Sequence, residues 1–89
     1  MHHEQAGKRL KTIEGHVRGI QRMLADDAYC IDIIRQIQAT QSALNKVSQM
    51  VLDEHMRSCV VSAVRGEDAT ERERVLNEIA EVYETAMKA

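Results

Sequence analysis

Three residues of this 89-residue chain are of the types that bind soft metal ions or carry thiol chemistry. In the stretch DEHMRSCVV, His55 and Cys59 are four positions apart, the spacing at which one helix offers two side chains on the same side. The other cysteine, Cys30, lies in DDAYCIDII, twenty-nine positions before Cys59. Two thiolates and one imidazole suit three-coordinate Cu(I), because structural Zn(II) normally takes four ligands. The three residues therefore form a candidate metal site.

The elements that position these residues are predicted to be helices. The sequence has no proline, phenylalanine or tryptophan and only four glycines, a composition that favours an all-α protein. Asp26 and Asp27 are the predicted N-caps of the second helix, and Gly66 is its predicted end. Gly15 and Gly19 indicate a close approach of another helix to the first one. Apolar periodicity predicts a single domain over residues 1–89 with helices over about residues 5–25, 28–64 and 70–87.

The second predicted helix is too long for a compact domain of this size. At 1.5 Å per residue it extends about 55 Å, whereas a globule of this length is only about 30 Å across. A second copy of the same helix is the simplest cover for its apolar stripe, so we expect a homodimer or a dimer of dimers. The stripe consists of Ile33, Ile34, Ile37, Leu44, Val47 and Val51.

Antiparallel pairing of two such helices brings the three candidate ligands together. With about 100° of rotation per residue, His55 and Cys59 both lie within about 20° of the direction of Cys30. Along the axis, however, they are about 37 and 44 Å from Cys30, so one chain cannot join them. In an antiparallel pair, Cys30 of one subunit faces His55 and Cys59 of the other.

Charge is distributed unevenly along the chain. Residues 5–50 carry seven Lys/Arg and four acids, whereas residues 53–89 carry five bases and nine acids. The first half can therefore attract a polyanion although the net charge is −2. No apolar run is long enough to span a bilayer and no signal peptide is evident, so we expect a cytoplasmic protein without a membrane partner. In a reducing compartment, metal binding, redox sensing or simple burial of the cysteines is favoured over a disulfide.

Four stretches together resemble the copper-sensitive operon repressor (CsoR) family and its relatives that sense nickel or cobalt, formaldehyde or persulfide. They are RLKTIEGHVRGIQRML, DDAYCIDIIRQI, QATQSALNKV and LDEHMRSCV. The resemblance implies a disc-shaped dimer of dimers that binds double-stranded operator DNA when empty and releases it when the sensor site fills. It also implies that Cys30, His55 and Cys59 bind Cu(I), because the persulfide branch of the family lacks the histidine.

The resemblance extends to residues around the metal and at the DNA surface. It implies that Tyr29 and an acid of the third helix lie behind the metal ligands, with Glu78 and Glu81 as candidates for that acid. It implies that Arg9, Arg35 and Lys46 lie on the basic surface that contacts DNA. Spacing alone adds further basic residues from one stripe of the first helix, Lys11, Arg18 and Arg22.

Three other functions remain open at this point. Cys30 and Cys59 of opposite subunits can join through a disulfide or polysulfide, which makes a thiol-sensing repressor that needs no His55. His2 or His3 can supply an N-terminal ligand for nickel or cobalt. A helical scaffold with inert cysteines is the non-regulatory alternative. An enzyme is not expected, because no Gly-rich loop and no group that would orient a Cys–His pair are visible.

Overall fold

The computed structural model describes residues 3–88, and among these the side chains of residues 3–86. Helix α1 covers Glu4–Ala25 and α2 covers Cys30–His55. A π-helical turn, Met56–Val60, follows α2 directly and leads into the short helix α3, Val61–Arg65. Helix α4 covers Ala69–Lys88. No strand is present among residues 3–88, and the predicted all-α class is confirmed.

No helix in the described part of the chain has the length and hydropathy required to cross a membrane.

The chain divides between Leu52 and Asp53 into two compact units. In the first unit, Ala6 and Ile13 of α1 pack with Val47 of α2 to form a small buried cluster. The hydroxyl of Thr40, which is also buried, donates to the carbonyl of Gln36 at 2.9 Å, so its polar group is satisfied within α2. The prediction of a single domain over residues 1–89 stays a prediction.

The second unit is built by α4 packing against the π turn and α3. Its buried side chains are Val60 of the π turn and Val75 of α4. Asp68 caps α4, because its Oδ1 accepts the backbone N–H groups of Thr70 at 3.0 Å and Glu71 at 3.1 Å. These bonds satisfy two of the N–H groups that the start of a helix leaves without partners.

The junction between α1 and α2 differs from the prediction. Asp26 is the C-cap of α1, and Asp27 has a left-handed backbone with φ of 53°. The N–H of Ala28 reaches back to the carbonyl of Met23 at 2.9 Å, the bond that closes a Schellman motif. The prediction that the two aspartates cap α2 is therefore wrong, because they are used to end α1.

The two glycines of α1 do not serve a contact inside one chain. No heavy atom outside the local helix backbone and the neighbouring residues lies within 4 Å of the place where a Cβ would stand on Gly15 or Gly19. The predicted close approach of another helix is thus not made by the described part of a single chain.

We expect Asp27→Gly to stabilise the protein by up to about 1 kcal/mol, because a left-handed conformation costs an L-residue about 1–2 kcal/mol and glycine almost nothing. Urea unfolding at one fixed protein concentration measures the change. Asp26→Gly is the matched control, since Asp26 has a φ of −91° and gains nothing from glycine. If Asp27→Gly is no more stable than the parent protein, the inference that the backbone of Asp27 is strained is wrong.

Candidate metal centre and basic surface

Cys30 is the first residue of α2, and its thiol is exposed and free. The preceding residue, Tyr29, is 69% exposed. The backbone carbonyl of Tyr29 accepts the N–H groups of Asp32 at 3.0 Å and Ile33 at 3.2 Å. These two bonds form the first turn of α2, which fixes the position of Cys30 at the helix start. A soft metal ion can reach the sulfur from solvent.

His55 and Cys59 lie close together in sequence at the other end of α2. His55 is the last residue of α2 and is half-buried, and Cys59 belongs to the π turn and is also half-buried. Ser58, beside Cys59, places its Oγ 3.7 Å from the Cys59 sulfur, within range of a weak hydrogen bond. The imidazole and the second thiol therefore belong to the unit that begins at Asp53, whereas Cys30 belongs to the other unit.

A single chain does not assemble the candidate site. Within residues 3–86, no three His, Cys, Asp or Glu side chains are grouped so that they can hold a metal ion. The assignment of Cys30, His55 and Cys59 as ligands remains a prediction. Their chemistry fits Cu(I), because the two thiols are not tied up in a disulfide and a thiolate pair with imidazole is a soft donor set.

The two predicted third-helix acids have different surroundings. Arg74 of α4 bonds to the carboxylates of both Glu71 and Glu78. The hydrogen bond from Arg74, helped by its charge, holds the pKa of the Glu71 carboxyl below its ordinary value against the opposing effect of desolvation. The same bond to Glu71, with the charges of Glu71 and Glu78, raises the pKa of Arg74. Both Glu78 and Glu81 are exposed on α4, but Glu78 forms an ion pair with Arg74.

The predicted basic residues are all exposed side chains of α1 and α2. On α1, Lys11, Arg18 and Arg22 lie on the side turned about 140–180° from the buried Ile13. Arg9 lies about 160° from Lys11 and so belongs to another side of the helix. The cationic side chains of α1 therefore do not form a single row.

The side of α1 that carries Arg18 and Arg22 has two further features. Arg18, Gln21, Arg22 and Ala25 line a shallow open depression of about 450 Å³. Arg18 also pairs with Glu14 at 3.5 Å, but both side chains are about two-thirds exposed, and such a pair is weak in water. A phosphate group can therefore displace Glu14 from Arg18 at little cost.

On α2, Arg35 and Lys46 are eleven residues apart, which places them within about 20° of one line along the helix and about 16 Å apart. Both side chains are exposed. This separation is larger than that between neighbouring phosphates of one strand, so the two side chains can contact separate phosphates of a duplex but not adjacent ones.

Part of the predicted apolar stripe of α2 is not covered by the chain itself. Ile33 and Val47 are buried, 8% and 7% exposed, but the other members of the stripe remain largely open to solvent. Such a continuous apolar surface marks an interaction site. The exposed members are Ile34 at 46%, Ile37 at 39%, Leu44 at 45% and Val51 at 39%.

Comparison with known proteins defines the class to which this all-α chain belongs. Residues 2–87 match the family described as metal-sensitive transcriptional repressor, so the chain belongs to that family. Members of this family are repressors of transcription and not enzymes.

Individual relatives are similar over most of the chain. The copper-sensing transcriptional repressor CsoR of Bacillus subtilis is 40% identical over 86 residues, which is 97% of this chain and 82% of the relative. The crystal structure of the copper-sensing repressor CsoR with Cu(I) from Geobacillus thermodenitrificans superposes with a TM-score of 0.84 and 43% identity, over 94% of this chain and 84% of that one. The nickel-responsive transcriptional regulator InrS gives a TM-score of 0.76 and 29% identity, over 96% and 92% of the two chains.

Two features of the region were not anticipated from the sequence. The π turn interrupts what periodicity treats as one continuous helix, because the pattern Met56, Val60, Val64 continues at α-helical spacing through it. The second is the pair of contacts made by Arg74, whose three- and four-residue spacing from Glu71 and Glu78 is the signal in the sequence that indicates them.

We expect Arg74→Gln to raise the pKa of the Glu71 carboxyl toward its ordinary value, because the main bond that favours the carboxylate is lost. A lowered folded-state pKa adds stability above the ordinary glutamate pKa and loses it as the pH falls through the folded value. The variant should therefore be less stable than the parent near neutral pH, with the difference disappearing in acid. Carboxyl NMR titration measures the pKa directly.

Arg57→Gln is the matched control, because Arg57 is also an exposed arginine paired with an acid four residues earlier, Asp53 at 3.0 Å. It should leave the pKa of Glu71 unchanged. A Glu71 pKa that does not move in Arg74→Gln would show that the contact is not populated in solution.

Proposed function

We propose that the protein is a copper-responsive repressor of transcription in the cytoplasm. In the metal-free form it binds double-stranded operator DNA, and it is released when Cu(I) is bound by Cys30 of one subunit with His55 and Cys59 of the partner subunit. The observation that carries this proposal is the donor set: two thiols that form no disulfide and an imidazole, in a chain 43% identical to a copper-sensing repressor solved with Cu(I). Such donors prefer Cu(I) to harder ions.

The length of α2 supports a site shared between subunits. Cys30 and His55 are its first and last residues, and the ends of a 26-residue helix cannot meet within one chain. Antiparallel pairing of two copies of α2 brings opposite ends together and at the same time covers the exposed apolar residues of the stripe. The proposed assembly is an antiparallel dimer, two of which form a disc-shaped tetramer.

The basic residues support binding to duplex DNA through its phosphates. Lys11, Arg18 and Arg22 form one exposed row on α1, and Arg35 with Lys46 forms another on α2. Arg9 is assigned to the same function on the flank of α1. With tyrosine as the only aromatic residue type and no helix-turn-helix motif, recognition depends on phosphate contacts and duplex shape.

The proposed coupling is reciprocal. If copper weakens DNA binding by some factor, DNA weakens copper binding by the same factor. We assign Tyr29 and an acid of α4 to the surroundings of the bound metal. Glu81 is favoured over Glu78 for this position, because Arg74 already holds the Glu78 carboxylate.

Two other inducers compete with copper. A thiol-modifying agent is the second candidate, because the two cysteines form no disulfide and Cys30 is exposed. Nickel is the third, supported by the similarity to InrS. For nickel the added ligand would be His3, at the N-terminal end of α1, or His2, which lies outside the described residues. The donor set favours copper over both.

We expect Cu(I) to release wild-type protein from a promoter-derived operator duplex, and Cys30→Ala, His55→Ala and Cys59→Ala each to bind the DNA but fail to respond. Anaerobic fluorescence anisotropy measures the release, and X-ray absorption counts the sulfur and nitrogen ligands. His16→Ala is the matched control, because His16 is an exposed histidine of α1 outside the proposed site. It should respond as wild type does.

The outcomes separate the candidate inducers. A His55→Ala variant that still responds to polysulfide but not to Cu(I) would favour the thiol sensor. Operator affinity that is the same with and without Cu(I) in wild type would overturn the copper proposal.

We also expect Arg18→Ala and Lys46→Ala to weaken metal-free operator binding at all sequences alike and to lower the slope of log affinity against log salt by about 1 each, because each removes one phosphate contact. Arg65→Ala is the control, since Arg65 is an exposed arginine of α3 that is not among the proposed basic residues. A salt slope unaltered in Arg18→Ala would remove α1 from the DNA surface.

A further inference from the structure

The π turn places an irregular piece of backbone at the two ligand-type residues of this helical stretch. The N–H of Val61 donates to the carbonyl of Met56, five residues earlier, and to that of Ser58, three residues earlier, whereas a regular α-helix uses the carbonyl four residues earlier. His55 immediately precedes this turn and Cys59 lies inside it. Single π turns within α-helices are often found at functional sites, because they displace side chains and free backbone groups.

Ser58 lies between a backbone carbonyl and the Cys59 sulfur. Its Oγ is 2.8 Å from the carbonyl oxygen of Glu54 and 3.7 Å from Sγ of Cys59. A serine hydroxyl has one proton to donate. The two acceptors therefore compete for the same proton, and the preferred one depends on their relative strength.

The two distances define a resting arrangement and an alternative one. The bond from Ser58 to the Glu54 carbonyl is short, whereas the Cys59 sulfur lies at the edge of bonding distance. A small rotation of the hydroxyl redirects its proton to the sulfur, and a group that bonds to a metal ligand in this way orients that ligand. We propose that Ser58 is a positioning residue that shares its proton between the Glu54 carbonyl and the Cys59 sulfur, and so couples the sulfur to the backbone of the π turn. This inference rests on the proposed function, in which Cys59 is a metal ligand.

The coupling has a structural consequence in the second unit. When the hydroxyl turns to the sulfur, the Glu54 carbonyl loses its bond from Ser58, and the hydrogen bonding of the π turn changes. Serine bonds to a carbonyl four residues earlier are known to alter helix geometry. Helix α4, which carries Glu78 and Glu81, packs against the π turn, so a change in the turn alters the packing of this helix.

The test compares Ser58→Thr with Ser58→Val, which have the same shape and differ in the hydroxyl group. Cu(I) affinity is measured anaerobically by competition with a chromophoric Cu(I) chelator, and the near-ultraviolet sulfur-to-copper absorption is recorded. We expect Thr to behave as wild type does and Val to bind Cu(I) about 10-fold more weakly, with a shifted absorption, because partners of metal ligands typically contribute about 10–100-fold to affinity. Ser62→Val, at an exposed serine four residues further on, is the control and should be neutral.

A second measurement reports on the backbone alone. Hydrogen exchange of the Val61 amide, which donates to the Met56 carbonyl, is recorded with and without Cu(I). We expect copper to change this exchange rate in wild type and in Ser58→Thr but not in Ser58→Val. A purely structural effect of the substitution would alter the rate equally in both states.

The outcomes distinguish the two levels of the proposal. Wild-type protein that binds no Cu(I) would overturn the proposed function. Wild type that binds Cu(I) through sulfur and nitrogen, with Ser58→Val equal to Ser58→Thr in affinity and absorption, would overturn the role of Ser58 alone. If circular dichroism shows that the valine variant is unfolded, Ser58→Ala provides the comparison with Ser58→Thr.

Discussion

The fixed rise of an α-helix controls how this protein can form a metal site. Each residue of α2 adds about 1.5 Å along the axis, so the thiol at its first residue and the imidazole at its last are separated by the helix itself. A site that uses both ends must therefore draw on a second chain, which makes the proposed sensor inseparable from its assembly. The apolar residues exposed along the same helix give that assembly a driving force.

The residues with proposed functions are distributed over the two compact units. The unit ending at Leu52 carries the proposed phosphate contacts and one thiol, and the unit beginning at Asp53 carries the imidazole, the other thiol and the acids of α4. The basic excess of the first half and the acidic excess of the second follow this division. The proposed phosphate contacts thus come from one half of the sequence, so the net charge of −2 gives little indication of the proposed DNA surface.

The features that follow from regular helix periodicity were predictable from sequence, and those that depend on individual hydrogen bonds were not. Apolar spacing and the absence of proline were enough to predict an all-α chain, which is confirmed. The role of Asp26 was mispredicted, because aspartate caps helix starts well and only the tertiary structure shows that α1 uses it as a C-cap. The π turn that contains Ser58 has no signature in the apolar pattern. The ligand set itself rests on residue chemistry and on the family, since one chain does not assemble it.

The π turn also bears on how such a protein can change during evolution. A π turn accommodates one residue more than an α-helix of the same length, and each residue of an α-helix accounts for about 100° of rotation. Removing a single codon between Met56 and Val60 would allow regular α-helical geometry and would leave the helix after the turn in about the same orientation relative to His55. Such a deletion would change which residues stand beside the imidazole without turning those that follow Val60. Insertion and deletion, and not only substitution, can therefore alter the surroundings of the proposed ligands.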